Sequence, residues 1–163
     1  MKGGKCCRFL CLQRRHLVVL SVMALGFTSP VFAALGGDAA SVQADQRHFQ
    51  ATLRSVRSNS FQVQELRSPT GVVVREYVSP QGRVFGVAWE GPWMPDMRQL
   101  LGSYFEQYQQ ALQSSSTSQM GRKPLRIDLP GLAVHLAGHP RSYTGQAYLP
   151  DTMPTGTTAE DVR

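Results

Sequence analysis

One turn design occurs twice in this 163-residue chain, eleven residues apart, and it limits the fold more than any other feature. Ser68-Pro69-Thr70-Gly71 and Ser79-Pro80-Gln81-Gly82 both put proline second, where its fixed φ opens a turn. Both put glycine fourth, where a positive φ rejoins the next strand. Around them lie Phe61-Gln62-Val63-Gln64, Val72 to Val78 and Val84 to Trp89, runs rich in β-branched and aromatic residues. Strands joined by such short turns predict an antiparallel meander. Asn59, between Ser58 and Ser60, marks an earlier turn, so Thr52 to Arg57 adds a strand in front. Val84, Gly86 and Ala88 share one face of the last strand, and Phe85, Val87 and Trp89 share the other. The small face is expected to admit a helix closely, and the bulky face to fill another core layer.

That helix follows directly. Met97, Leu100, Leu101, Tyr104, Phe105, Tyr108, Ala111 and Leu112 recur at helical spacing and make one apolar face. Pro95 suits its first turn and Asp96 the positive end of its dipole. A shorter helix is predicted over 38–49, with Asp38 capping exposed amides. Ser114 to Gln119 reads as a loop. Leu132, Val134 and Leu136 alternate with Ala133, His135 and Ala137, which predicts a strand, and Ser142 to Leu149 predicts a weaker one. From Pro150 onward the composition reads as a disordered tail. The expected architecture is α+β: an N-terminal helix, an antiparallel meander, a long amphipathic helix packed on the sheet and one or two further strands. It forms a single domain over 34–149, with 150–163 as the tail.

The first 33 residues differ from the rest. They carry Lys2, Lys5, Arg8, Arg14 and Arg15, no acidic residue, and all three cysteines (Cys6, Cys7, Cys11). A basic stretch, the apolar run Leu17 to Phe27, the breaker Pro30 and Val31-Phe32-Ala33 have the layout of a secretory signal peptide. Cleavage is expected between Ala33 and Ala34. Eleven apolar residues cover about half of a ~30 Å hydrocarbon core, which argues against a retained anchor. Arg14-Arg15 also matches the twin-arginine export signal, although the general route is favoured. The expected location is periplasmic or secreted, without stable membrane insertion after signal removal.

From Ala34 onward 12 basic residues face 11 acidic ones, so the pI near 9.7 belongs mostly to the leader and gives no support for nucleic-acid binding. The same region has no cysteine, which excludes disulfides, thiol nucleophiles and thiolate metal sites there. Lys123 is its only lysine.

The motifs Ala34-Leu35-Gly36-Gly37-Asp38-Ala39-Ala40-Ser41, Val74-Arg75-Glu76-Tyr77-Val78-Ser79-Pro80, Ala88-Trp89-x-Gly91-Pro92 and Pro95-Asp96-x-Arg98-Gln99-Leu100-Leu101-Gly102 follow in that order. In this the chain resembles a bacterial family of short exported proteins, domain of unknown function 2844. The resemblance covers essentially everything after residue 33. It implies an exported single domain and brings no catalytic residue, ligand or cofactor with it.

Few residues carry chemistry. His135 and His139 have a metal-binding spacing if helical, but Gly138 and Pro140 break a helix, and structural histidines are the better reading. Ser142, His135 and Asp128 could be combined into a triad, yet no nucleophile motif frames any serine. Glu65, Glu76 and Glu90 could serve as paired acids, but Glu76 is more simply read as pairing with Arg75 or Arg83, or facing water. No glycine-rich loop precedes a helix, so no nucleotide cofactor is expected. Tyr77, Trp89 and Trp93 form a candidate binding patch for a sugar ring or peptide, against the plainer reading of Trp89 as core. Arg54, Arg57, Arg67, Arg75 and Arg83 are read as charges on the wet face of the sheet, with a basic strip for an anionic envelope polymer as the less favoured alternative.

The expectation is a non-enzymatic binding or interaction module of the cell envelope, taking an envelope protein or polymer and no cofactor. The alternatives are a small periplasmic hydrolase using His135 or the glutamates, and a small-ligand carrier with a cavity beside Gly86 and Ala88.

Overall fold

The computed structural model describes residues 35–114 and 124–163. The expected signal peptide, its cleavage point at Ala33-Ala34, Lys123 and most of the loop after Ser114 lie outside the described residues. Four strands follow α1 (Ser41–His48): β1 (Thr52–Arg57), β2 (Gln62–Arg67), β3 (Val73–Val78) and β4 (Val84–Gly91). Then come α2 (Met97–Leu101), a 3₁₀ turn, α3 (Phe105–Ser114), β5 (Leu125–Leu129), β6 (Leu132–His139) and β7 (Ser142–Tyr148). The seven strands form one antiparallel sheet in the order β1-β2-β3-β4-β7-β6-β5. The fold is α+β.

Both Ser-Pro-x-Gly turns close as the sequence predicts. The Gly71 amide donates to the Ser68 carbonyl at 3.0 Å and the Gly82 amide to the Ser79 carbonyl at 2.9 Å. The two glycines sit at φ +86° and +76°, where a side chain would be strained. The first helix starts at Ser41 rather than at 38, with Ala40 as its N-cap, and Asp38 lies ahead of it and accepts from the Ser41 amide at 3.0 Å.

The helix after Asp96 is less continuous than its apolar stripe. Asp96 caps α2 by accepting from the Arg98 and Gln99 amides. The chain then tightens into a 3₁₀ turn at Gly102, whose φ of +51° ends α2 before α3 begins. Leu100, Leu101 and Tyr108 nevertheless reach one core, with Leu66, Val74, Val87, Trp89, Leu132, Val134 and Ala147 from the sheet.

The helices therefore pack on the face carrying Val87 and Trp89, not on the small one. A register shift in the β3–β4 pairing, at Tyr77 and Val78, explains part of this: Val78 pairs with Val84 and Tyr77 with Gly86. Phe85 is the extra residue of that bulge and turns toward the opposite face, beside Tyr77 and Ala88. Gly86 points the same way, and what covers it is Val162: a Cβ at Gly86 would meet a Val162 methyl at 3.0 Å.

Residues 150–163 are thus not the disordered tail that their composition suggests. Two 3₁₀ turns (Pro150–Thr152 and Ala159–Asp161) carry the segment across the sheet. Val162 is fully buried with Tyr77, Phe85 and Ala88, and Met153 packs alongside. The further strands number three rather than one or two. The addition is β5, a short half-exposed edge strand paired with β6.

Candidate functional site

Register builds the site. On the sheet face away from the helices, one row of paired residues runs across all seven strands: Arg54, Glu65, Arg75, Ala88, Gln146, His135 and Arg126. The next row toward the turn before β4 contains Val63, Tyr77, Gly86 and Tyr148, and Val162 lies over it. The C-terminal segment thus covers one half of this face. On the other half lies a groove of about 760 Å³, with Arg75, Glu90, Arg126, His135, Thr144, Gln146 and Arg163 around a floor that includes Ala137 and Gly145. Gly145 has no side chain for a steric reason. Its Cβ would lie 2.4 Å from the Trp89 ring, which fills the space beneath.

Ion pairs hold the groove's walls. Arg75 donates from Nε to Glu65 at 3.2 Å and from its Nη2 atom to Glu90 at 2.6 Å. Arg67 donates to the other Glu65 oxygen at 2.9 Å. Partial burial pushes the Glu65 carboxyl up, but Arg67 and Arg75 outweigh it and hold it below the usual range. Burial likewise opposes the charge on Arg75, and Glu90 and Glu65 outweigh that, keeping it firmly protonated. On the far wall, His135 Nε2 lies 3.0 Å from Asp128 Oδ1 and 3.0 Å from Arg126 Nε. Only one of these contacts is a hydrogen bond at a time. A protonated Nε2 donates to Asp128, whereas a bare Nε2 accepts from Arg126. At the rim, the Tyr77 hydroxyl accepts from the Arg163 amide at 2.8 Å and donates to the Arg163 carbonyl.

Comparison with known proteins adds one finding. The model of a family described as a protein of unknown function, DUF2844, matches residues 31–162. The chain belongs to this DUF2844 family. No curated protein and no solved structure matches it. The family named by the motif order is therefore the family shown.

The residues singled out in this DUF2844 sequence do not all come together. Tyr77 and Trp89 are both buried, and on opposite faces of the sheet: Tyr77 under Val162, Trp89 in the helix-side core. Trp93 alone is open, 59% exposed, beside Met94 and Phe49 in a separate apolar groove. The three make no common patch, because alternation along paired strands sends Tyr77 and Trp89 to different sides. His135 and His139 lie on one strand four residues apart, or ~13 Å, too far to ligate one ion together. His139 Nδ1 lies 3.1 Å from the Pro140 carbonyl. Among the described residues no three His, Cys, Asp or Glu side chains gather to hold a metal.

Ser142 pairs with His139, whereas His135 pairs with Gln146. The serine of the paper triad is thus four residues along β7 from the histidine, ~13 Å away. His135 and Asp128 do meet; the hydroxyl does not. The cavity imagined beside Gly86 is filled by Val162. Of the arginines, Arg54, Arg67 and Arg75 share the open face by register, while Arg57 falls on the other.

Sequence reasoning missed a buried pair in this DUF2844 domain. On the helix side, Glu76 sits in the row Gln64, Glu76, Val87, Ala147, Val134 and Ile127. It is 1% exposed, as is Asp45 of α1. The two carboxyls lie near enough to share a proton, and Gln99 of α2 donates to Asp45 Oδ1 at 2.6 Å. With both ionised, Asp45 Oδ2 and both Glu76 oxygens would have no donor. One proton shared between them bridges Asp45 Oδ2 and one Glu76 oxygen, and leaves the other Glu76 oxygen without a donor. Burial, then the neighbouring Asp45, raises Glu76 well above the usual carboxyl range. Burial is also the main cause that raises Asp45, to about 6. Glu76 therefore pairs with another acid, not with Arg75 or Arg83 as its neighbours suggest. The signal lay in the alternation: Val74, Glu76 and Val78 share one face, and a carboxyl between two core valines needs a partner.

Proposed function

We propose that this DUF2844 protein is a non-enzymatic binding module of the bacterial cell envelope, and that its ligand lies in the groove beside Arg75, His135 and Gln146. The observation that carries this reading is the half-covered sheet face. Residues 150–163 fill one half with Val162, while the other keeps hydrogen-bonding side chains fixed by ion pairs around a groove of ligand size. The leader layout of residues 1–33 supports an envelope location. The test is a native mass spectrum of the protein recovered from its own periplasm, for the natural chain and for Ala137→Trp, which puts an indole on the groove floor. A non-covalent excess mass on the natural chain that the substitution removes is the expected result. An excess retained by the variant, or a bare natural chain that takes up nothing from the periplasmic extract, refutes it. The denatured mass checks export, because a start at Ala34 is expected.

One contact favours a second reading, a small hydrolase: the 3.0 Å approach of His135 Nε2 to Asp128 Oδ1 in the groove. That reading expects His135→Ala to abolish turnover of the ligand while leaving capture intact. Intact ligand recovered after prolonged incubation with the natural chain rejects it.

A further inference from the structure

We infer that the groove is an oxyanion site, taking a ligand that carries carboxylate or phosphate groups, with Arg126 and Arg163 as its anchors. This rests on the binding reading above and adds the ligand's chemical class. Three guanidinium groups border the groove, from Arg75, Arg126 and Arg163, beside the carboxylate of Glu90, with Glu65 and Asp128 behind the walls as ion-pair partners of Arg75 and Arg126. Arg75 is already held on two edges by Glu65 and Glu90, so it serves to fix the wall. The other two are available. Arg126 is 71% exposed, and among the described residues it meets Asp128 and His135 through Nε alone, leaving its terminal nitrogens for a ligand. Among the described residues the Arg163 side chain has no ion pair, yet its backbone is clamped at both N–H and C=O by the buried Tyr77 hydroxyl. The cation is thus free while the chain that bears it is fixed. A planar guanidinium offers paired donors that match a carboxylate or phosphate edge, which a neutral ligand does not repay. Among the described residues a neutral glycan also lacks an indole or phenol platform here. Beside the His135 ring, whose edge meets Tyr148, the large aromatic bordering the groove is Trp89, 1% exposed and therefore closed to stacking.

The test is titration of the purified protein with citrate, with inorganic phosphate and with maltotriose as a neutral control. It is read by calorimetry and by the amide signals of Ala137, Thr144 and Gln146. Citrate and phosphate separate a carboxylate ligand from a phosphate one. At least one of them should bind saturably and move those amides, and maltotriose should not. Arg126→Gln and Arg163→Gln, both at the surface, should each weaken binding about tenfold without changing Tm. Neither anion moving the groove amides, or a double arginine variant that binds as tightly as the natural chain, overturns the inference. The two levels fail separately. If Ala137→Trp removes the native bound species but the arginine variants keep it, only the anion assignment falls. If Ala137→Trp keeps it, the groove is not the binding site.

Discussion

Replacing Glu76 by glutamine should make the protein more stable at neutral and alkaline pH, although the residue is wholly buried. Asp45 titrates near 3.8 in an unfolded chain and at about 6 in the fold. Two pH units at 1.36 kcal/mol each give a cost of about 3 kcal/mol for keeping this pair above pH 6. Glu76, raised well above its ordinary 4.5, adds a cost of the same sign. A group whose folded pKa is raised contributes stability that is complete below its unfolded pKa and is lost as pH rises through its folded pKa. The loss should therefore start near pH 4 and continue through and beyond pH 6. Glu65, held low by Arg67 and Arg75, acts in the opposite direction, but only toward the acid end, as pH falls through its lowered pKa. In Glu76→Gln the amide donates permanently to Asp45, so Asp45 can ionise without leaving its oxygens unpaired. Urea denaturation at a series of pH values is the assay. We expect the natural chain to lose stability from about pH 5 to pH 8 and the variant to lose much less, leading by roughly 1–3 kcal/mol at pH 8. A natural chain whose stability is flat or rises over that range, or a variant less stable at pH 8, would refute the shared-proton argument.

Further predictions concern the core. Val162→Ala should cost about 1–3 kcal/mol by chemical denaturation, because it uncovers Phe85 and Gly86, and a negligible change would mean the segment does not pack there. Trp89→Ala should cost roughly 3–5 kcal/mol, whereas Trp93→Ser should stay within about 0.5 kcal/mol. Fluorescence gives an independent check, since Trp93→Ser should leave only blue-shifted emission from the buried indole. Gly145→Ala should lower Tm sharply, its new methyl meeting both the Trp89 ring and the His135 carbonyl.

The meander was legible because proline and glycine at fixed turn positions speak for themselves, and β1 to β4 fall where those turns place them. The α2–α3 stripe was legible too, but not its break, since Gly102 changes the backbone without interrupting the apolar spacing. β5 escaped because Leu125-Arg126-Ile127-Asp128-Leu129, although it alternates, is only five residues long and lies between Pro124 and Pro130. The bulge at Phe85 was invisible for a stronger reason. An extra residue leaves the sequence alternation unchanged and reverses only the faces on either side. The last segment misled through composition: threonine, proline and glycine dominate, and a single valine closing over a glycine leaves no periodic trace. His135 was rightly assigned away from the apolar face, but its neighbours Arg126 and Gln146 belong to strands that only pairing brings together.

Both flanks of the described chain converge on β4. Near its start the Gly36 amide donates to the Val84 carbonyl at 2.8 Å, and Val84 donates back to Gly37 at 2.9 Å. On the other side of the same strand Val162 seals Gly86. A chain that emerges from its N-terminal end, as from a ribosome, can complete the meander early but must leave Phe85 and Gly86 uncovered until residue 162 arrives. Folding is then governed by contacts between segments far apart in sequence, which form slowly. The meander and its cover are thus completed at different times, and this face of β4 closes only once Val162 is in place.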